Sequence, residues 1–245
     1  MKVLLLGGTG EARELAGLLT DAGIDVLTSL AGRTTNARLP VGEVRSGGFG
    51  GAEGLAQWLS THPVDAVVDA THPYAATMTA HAIEAARTTG VPLLVLRRPG
   101  WTPEPGDDWH PADSHAAAAE LLPKLGTRVF LTIGRQGLDA YAGTGLWTLA
   151  RCVDPPEPPP SWCQLLLARG PFAEADELDL LQQHRIDVLV TKNSGGTATA
   201  AKLHAARRLR VPVVLIRRPE LPEHLDVVES PAQVVGWIQR RGISG

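Results

Sequence analysis

The 245-residue chain has few cysteines and no long apolar run. Its two cysteines, Cys152 and Cys163, lack the spacing of a metal site, and we expect free thiols rather than a disulfide. No apolar segment approaches the roughly 20 residues that a membrane helix requires. Met1-Lys2 is followed by four apolar residues and then two glycines, which does not fit a signal peptide. These absences exclude a disulfide scaffold and a membrane span, and they predict a cytoplasmic protein.

The chain also lacks a large excess of positive or negative charge. The formal net charge is only −3, which gives no global electrostatic reason to expect binding to nucleic acid or to an anionic membrane. Hydrophobic residues make up 44% of the chain and charged residues 20%, as in an ordinary globular protein. The length allows one large domain or two small ones.

The chain contains an internal repeat that decides between these possibilities. The sequence HPVDAVVD at residues 62–69 is echoed by HRIDVLVT at residues 184–191. Further on, VPLLVLRRP at residues 91–99 returns as VPVVLIRRP at residues 211–219. Two similar units predict two lobes with a ligand cleft between them. The matching Arg-Arg-Pro strand ends would permit the final strands to be exchanged between the two sheets.

Apolar runs of strand length alternate with stretches of helical periodicity, which predicts parallel sheets covered by helices on both faces. We therefore expect an α/β fold of two Rossmann-like lobes. The predicted boundaries are a cofactor lobe at 1–100, a connector at 101–126 and a substrate lobe at 127–245. The proline-rich residues 154–160 fit neither a helix nor a central strand, and they are a candidate lid.

A glycine turn follows the first predicted strand and opens the first helix. Gly8, Thr9, Gly10 and Glu11 stand where a dinucleotide fingerprint belongs, although Arg13 replaces its third glycine. Glycines let the backbone approach a pyrophosphate, and the helix N-terminus supplies N–H donors and positive potential. The pattern predicts a nucleotide site, and an ordinary turn is the alternative.

The end of the second predicted strand refines the choice of cofactor. An NAD site normally carries an acid there for the ribose hydroxyls, whereas this chain has Ser29, Gly32 and Arg33. A guanidinium suits the extra phosphate of NADP, so we predict NADPH. The alternative is that Arg33 is a solvated loop residue.

Two further strand ends in the first half are candidates for the same cofactor. The loop of residues 47–51 has four glycines in five positions, which indicates backbone close to a ligand at Gly50, or simply a flexible loop. Thr71 and His72 follow the next strand, and His72 is otherwise a histidine that caps the following helix. Ligands of open parallel sheets lie beyond the carboxyl ends of the strands.

The equivalent strand ends of the second half are basic on a chain that is acidic overall. This local reversal predicts an anionic ligand with several carboxylates. The expected contacts are Arg135, Arg151, Arg169, Lys192, Asn193, Ser194 and Gly195.

Taken together, these segments resemble the precorrin-6A reductase family of cobalamin biosynthesis. The matching segments, in order along nearly the whole chain, are residues 7–13, 29–33, 47–51, 69–75, 132–135 and 191–196. The resemblance implies one lobe for NADPH and one for a polycarboxylate tetrapyrrole, precorrin-6A. It implies reduction of one ring double bond to give precorrin-6B, without a protein-bound metal, and transient contact with neighbouring pathway enzymes.

Hydride transfer to such a ring also requires a proton for the adjacent carbon. No motif identifies the donor, and His72, Tyr74, Lys192 and water are the candidates. The protein's main task is to orient the two rings and exclude water.

Three other functions were compared with this one. The same family includes enzymes that act on the cobalt-containing precursor, which the sequence does not separate from the metal-free one. Short-chain dehydrogenases share the glycine turn, but Tyr74 and Tyr141 lack the lysine four residues on. A redox-sensing regulator that binds NADP without turnover would leave the second lobe without a role.

Overall fold

The computed structural model describes residues 1–32 and 39–242. These residues form two compact units. One unit combines Met1–Pro99 with the segment that follows Arg218, and the other is Gly100–Arg218. The described residues contain no helix long and apolar enough to cross a membrane.

The first 99 residues alternate strands and helices as the sequence predicts. The elements are β1 (Lys2–Leu6), α1 (Gly10–Asp21), β2 (Asp25–Leu30), β3 (Glu43–Ser46), α2 (Gly51–Thr61), β4 (Ala66–Asp69), α3 (Ala76–Thr89) and β5 (Leu93–Leu96). The second unit and the C-terminal segment continue the pattern. Their elements are β6 (Trp109–Ala112), α4 (His115–Leu125), β7 (Arg128–Thr132), a 3₁₀ helix (Leu138–Thr144), β8 (Trp147–Cys152), β9 (Gln164–Leu167), α5 (Glu174–Gln183), β10 (Val188–Lys192), α6 (Ala201–Leu209), β11 (Val213–Ile216), β12 (Val227–Val228) and α7 (Pro231–Gly242).

Each unit is built on a six-stranded parallel sheet. The strand order is β12-β5-β4-β1-β2-β3 in the first unit and β6-β11-β10-β7-β8-β9 in the second. The expectation of two Rossmann-like α/β units is therefore confirmed. Both orders reverse direction inside the sheet, between β1 and β4 in the first unit and between β7 and β10 in the second. Such reversal points are where α/β sheets bind ligands.

Period-two alternation along β1 explains why helices cover both faces of the first sheet. Val3 and Leu5 pack with α1 and α7, while Leu4 and Leu6 pack with α2 and α3. All four side chains are buried. A strand that is apolar on both faces needs cover on both sides, so it occupies the centre of a parallel sheet.

The chain crosses between the units twice, once after each Arg-Arg-Pro segment. After β5 it adds β6 to the second sheet beside β11, and after β11 it adds β12 to the first sheet beside β5. The strands β5 and β11 stay with their own sheets, and the strand that follows each is exchanged. The possibility of exchange that the repeat raised is thus realised one strand later than the sequence suggests.

The predicted boundaries at 101–126 and 127–245 are wrong as a consequence. Residues 101–126 contain β6 and α4 rather than a connector, because Val213 and Arg217 donate backbone hydrogen bonds to this segment. The C-terminal segment belongs to the first unit, because Val234, Trp237 and Ile238 of α7 lie in its core. The expected ligand cleft between the lobes stays a prediction.

Other elements differ from the prediction at their ends. The sequence predicts that α6 begins at Gly195, but Gly195 and Gly196 have φ values of 66° and 77°, which a right-handed helix does not accept. The helix begins at Ala201 instead, which leaves a long loop after β10. Residues 154–160 have no regular structure and lie between β8 and β9, and their role as a lid stays a prediction. Cys152 and Cys163 are free thiols, as expected.

Candidate functional site

Two loops meet at the reversal point of the first sheet, one after β1 and one after β4. Thr9 joins them, because its Oγ1 donates to the carbonyl of Ala70 at 2.8 Å. The same oxygen accepts from the amide of Ala12 at 3.1 Å and so caps α1. The side chain of Thr9 is buried and fully used by the fold. Of the predicted cofactor contacts, Thr9 therefore has only its backbone to offer a ligand.

The two glycines that precede Thr9 serve different purposes. A Cβ on Gly7 would lie 2.8 Å from Cγ2 of Thr28, so this position is closed by the neighbouring strand. Gly8 has a φ of 117°, and no heavy atom of the described residues lies within 4 Å of where its Cβ would be. Open space beside a left-handed glycine at the start of α1 is the cradle that a pyrophosphate needs, and Gly10 is exposed next to it. These residues fit a dinucleotide.

Glu11, predicted as a cofactor contact, is paired within the unit. Its Oε2 lies 2.8 Å from Nη1 of Arg98, at the end of β5, and both side chains are mostly shielded from solvent. The pair compensates a carboxylate that would otherwise repel a phosphate at the α1 N-terminus. Glu11 is thus paired with Arg98, and its role as a cofactor contact stays a prediction.

The loop after β4 is held by a buried acid. Asp69 accepts from the amide and hydroxyl of Thr71 through Oδ1, and from the hydroxyl of Thr79 through Oδ2, at 2.6 to 3.0 Å. The predicted contact Thr71 is therefore turned towards Asp69. His72 is exposed beyond it, and its Nδ1 accepts from the amide of Tyr74 at 3.3 Å. The rings of His72 and Tyr74 lie 5.8 Å apart.

The ends of β2 and β3 form a second part of this site. Ser29 is buried, and its Oγ accepts from Nη1 of Arg45 at 2.7 Å. Gly32 approaches the glycine-rich loop closely, since its Cβ would lie 3.8 Å from the amide of Gly47. Gly50 takes a left-handed conformation before α2, at φ 85°. The predicted contact Arg33 lies outside the described residues. The sequence analysis missed Arg45, although Arg45 stands at the end of a strand before a glycine-rich loop.

The reversal point of the second sheet lies between β7 and β10, as the repeat predicts. Gly134 follows β7 with a φ of 77°, and in the part of the chain that the structure describes no heavy atom lies within 4 Å of where its Cβ would be. Arg135 is exposed, and its charge acts on the buried thiol of Cys152 at the end of β8. Lys192 ends β10 and is half-buried, and burial lowers the pKa of its ammonium group. The structure therefore brings Gly134, Arg135 and Lys192 to one edge of the sheet.

The loop after β10 is fixed from within the unit. Oδ1 of Asn193 accepts from the amide of Trp101 at 2.7 Å, and its Nδ2 donates to the Trp101 carbonyl at 3.3 Å. Nε1 of Trp101 donates to the carbonyl of Gly196 at 2.9 Å. Asn193 thus shapes the loop, and its contact with a ligand stays a prediction. Ser194 is half-buried and Gly195 buried in the same loop.

A histidine that the sequence analysis missed lies beside this loop. His115 begins α4, and its Nδ1 lies 3.2 Å from the hydroxyl oxygen of Tyr141. A Cβ on Gly137 would fall 2.5 Å from its Nε2, so only glycine leaves room for the ring. Burial, and then the nearby charge of Lys192, lower the pKa of His115. The sequence signal was its position directly after a Ser114 N-cap.

Arg151 does not line the site, contrary to the prediction. Its side chain is 6% exposed and makes a two-pronged pair with Glu177, at 2.6 Å and 2.7 Å. Its guanidinium carbon lies 4.7 Å from the ring of Phe130 and 4.0 Å from that of Phe172. The side chain of Arg151 lies on the face of the sheet that α5 covers, so it is buried in the core. Arg169 is exposed in the loop after β9.

Comparisons with known proteins agree with this architecture. The model of the family "Precorrin-6x reductase CbiJ/CobK" matches residues 2–239. A precorrin-6A reductase of Rhodococcus erythropolis is 60% identical, with 97% of each chain covered. A cobalt-precorrin-6A reductase of Salmonella typhimurium is 30% identical, covering 97% of this chain and 95% of the relative. The solved structure "CobK precorrin-6A reductase" superimposes with a TM-score of 0.91 at 42% identity, over 99% of this chain and 97% of that one. On this evidence, the chain belongs to the precorrin-6x reductase family.

Proposed function

We propose that this chain is an NADPH-dependent reductase that converts precorrin-6A to precorrin-6B in cobalamin biosynthesis. The observation that carries the proposal is the family match over residues 2–239, because it spans both units together. A regulator that only senses NADP would not require the second unit to be retained. The relative at 60% identity is a precorrin-6A reductase, which favours the metal-free precursor over the cobalt form.

The first unit is the proposed cofactor unit. The backbone at Gly8, Thr9 and Gly10 and the N-terminus of α1 would hold the pyrophosphate, because the first amides of a helix have no partner within the helix. Ser29, Gly32 and Arg33 would serve the adenosine end, and Gly50, Thr71 and His72 complete the proposed contacts. Bound NADPH would supply a hydride to one carbon of the ring double bond.

The second unit is the proposed substrate unit. Arg135, Arg169 and Lys192 would pair with the acid side chains of the tetrapyrrole, and the turn at Ser194 and Gly195 would offer backbone donors. Arg151 is removed from this set, because Glu177 already holds both ends of its guanidinium. Asn193 would act by shaping the turn.

Lys192 is the best-supported candidate for the proton donor. Burial lowers its pKa, and a lysine with a lowered pKa gives up its proton more readily near neutrality. His72 and Tyr74 contact each other at the end of β4 and remain alternatives from the cofactor unit. The exposure of His72 leaves water as a competing source of the proton.

The cofactor assignment is tested by titrating the purified protein with NADPH and with NADH while following nicotinamide fluorescence. Tight NADPH binding and weak NADH binding would support it. We expect Arg33→Ala to weaken NADPH binding much more than NADH binding, whereas an equal loss for both would contradict the phosphate role. Equal binding of both cofactors by the unaltered protein would favour the cobalt-dependent alternative, and no binding would contradict a reductase.

The reaction is tested by turnover with precorrin-6A and with cobalt-precorrin-6A. NADPH carrying deuterium at the transferred position should place one deuterium in precorrin-6B and leave the cobalt form unreduced. Lys192→Ala and Arg135→Ala should weaken substrate binding and leave NADPH affinity unchanged. Loss of NADPH affinity with normal substrate affinity would mean that the roles of the units are reversed.

A further inference from the structure

The guanidinium of Arg45 is an unusual group at the end of β3, because all its hydrogen-bond partners among the described residues are neutral. Nη1 donates to Oγ of Ser29 at 2.7 Å and to the carbonyl of Gly47 at 3.2 Å, while Nη2 donates to the carbonyl of Gly48 at 3.3 Å. Within the described ranges no carboxylate forms a salt bridge with it. Burial lowers the pKa of Arg45, and no acid opposes this shift. The positive charge is therefore held without a counter-charge.

The contacts of Arg45 leave one particular edge of the guanidinium available. A guanidinium has five N–H groups in a planar fork. The three contacts use Nη1 twice and Nη2 once, and none of the contacts made by the described residues uses Nε. Nε and Nη2 together form one side of the planar fork. This edge is suited to a two-pronged contact with a phosphate.

The side chain is also held rigidly before any ligand arrives. Its guanidinium carbon lies 3.8 Å from the ring centre of Phe49. Phe49 in turn meets Trp58 of α2 edge to face at 5.5 Å, and Trp58 stacks on His62 at 4.4 Å. A cation fixed by stacking and by three hydrogen bonds loses little conformational entropy on binding an anion.

The position of Arg45 indicates which anion it takes. Arg45 stands directly opposite Ser29 in the register of β2 and β3. The carboxyl end of the second strand is where dinucleotide folds bind the adenosine ribose, through an acid in NAD enzymes. Here that place has a buried hydroxyl and a pre-positioned guanidinium. The glycines at positions 47 and 48 expose the carbonyls that hold it.

We propose that Arg45, oriented by Ser29 and Phe49, binds the 2′-phosphate of NADP(H) and sets the preference for NADP(H) over NAD(H). The inference rests on the proposed reductase function of the first unit. It assigns to Arg45 a role that the sequence gives to Arg33 alone.

Calorimetric titration with 2′,5′-ADP and with 5′-ADP isolates the 2′-phosphate from the nicotinamide and from turnover. Arg45→Ala should weaken 2′,5′-ADP binding about 10- to 100-fold and change 5′-ADP binding by about twofold or less. Arg45→Lys keeps the charge but loses the fork, and we expect an intermediate loss. Arg87→Ala is the matched control, because Arg87 is an exposed arginine of the same unit that pairs with Glu84 on α3.

The remaining outcomes separate the inference from the proposed function. If the unaltered protein prefers 2′,5′-ADP and Arg45→Ala keeps that preference while Arg33→Ala removes it, the role of Arg45 is overturned and the reductase proposal stands. If Arg45→Ala weakens both nucleotides equally, the residue is structural and the inference fails. If the unaltered protein does not distinguish the two nucleotides, the inference and the NADPH assignment both fail.

Discussion

At the scale of single residues, the pair of Arg151 and Glu177 places two opposite charges inside the second unit. Glu177 is 2% exposed, and the guanidinium of Arg151 lies between the rings of Phe130 and Phe172. A buried pair of this kind offsets its own desolvation only while both partners and their geometry are intact. The stability of the second unit therefore depends on each partner separately.

Replacing Glu177 tests this dependence. We expect Glu177→Ala to lower the free energy of unfolding by about 3–5 kcal/mol, because it leaves an uncompensated buried cation. Urea unfolding measures the change, with Glu174→Ala as the control, since Glu174 is a more exposed acid of the same helix. The double variant Arg151→Met with Glu177→Leu should recover part of the loss. A loss that the double variant does not reduce would contradict the charge argument.

Lys202 adds a titrating group to the same buried region. Its Nζ donates to the carbonyl of Thr199 at 2.6 Å, and burial, with a smaller effect from Arg151, lowers its pKa to about 7. Between pH 7 and the ordinary value of 10.5, the unfolded chain binds more protons at this site than the folded chain. Stability should therefore rise with pH across this window.

The measurement is the thermal unfolding midpoint at several pH values for the unaltered protein and for Lys202→Met. We expect the variant to lose the rise between pH 7 and pH 10.5. Lys124→Met, an exposed lysine of α4, controls for the general effect of removing a charge. Parallel curves for the unaltered protein and Lys202→Met would show that Lys202 is charged throughout.

His115 reports on the charge of Lys192 at the second reversal point. Because Lys192 contributes to the lowered pKa of His115, Lys192→Met should raise that pKa towards 6.5. An NMR titration of the imidazole in the full-length protein measures it, with Arg135→Met as a comparison at the same sheet edge. An unchanged pKa of His115 in Lys192→Met would mean that the two residues do not interact electrostatically. It would count against the proposed substrate site at this sheet edge.

The wrong prediction for Arg151 shows that a sequence pattern does not reveal which residues a side chain will contact. Arg151 ends a strand as a substrate-binding arginine would, but its fate is decided by Glu177, which reaches it from another element. Arg45 was missed for a related reason, because Ser29 becomes its neighbour only when β2 and β3 pair. Types of residue at strand ends are visible in the sequence, whereas their partners are not.

At the scale of elements, the strands and most helices follow from apolar periodicity, and the loops carry the differences. The helix α4 escaped prediction because prolines and tryptophans dominate the segment before it. Its signals were present, since Ser114 accepts from the amide of Ala117 and a run of alanines follows. The late start of α6 was also readable from Gly195 and Gly196.

The loop between β10 and α6 gives a prediction at this scale. Asn193→Ala removes both side-chain hydrogen bonds to the backbone of Trp101. We expect faster amide hydrogen exchange in residues 194–200 and a loss of about 1–3 kcal/mol in unfolding free energy. Gln136→Ala, an exposed residue in the loop after β7, is the matched control. Unchanged exchange in the loop would contradict its dependence on Asn193.

At the scale of the whole molecule, the second unit is inserted between β5 and β12 of the first. The repeat in the sequence predicts two units but cannot show that the end of the chain returns, because the two Arg-Arg-Pro segments are nearly identical. The return is determined by packing. Ile238 and Val234 of α7 are fully buried against Leu15 and its neighbours in α1.

Because α7 packs in the first unit, a cavity made in α7 should destabilise that unit. Ile238→Ala should cost about 2–5 kcal/mol. Its exchange-protection loss should appear in α1 and β5, and β10 of the second unit should keep its protection. Gln239→Ala, an exposed neighbour in the same helix, should change neither. Equal loss of protection in both units would mean that they unfold as one body.

The double crossing also sets the order in which the protein can be completed during translation. A ribosome releases all of Gly100–Arg218 before it releases β12 and α7. The inserted unit therefore has its full sequence while the outer one still presents an unpaired β5 edge, a form that invites pairing with the wrong strand. The outer unit, although it is made first, is finished last, so the proposed cofactor unit is the one most exposed to premature termination.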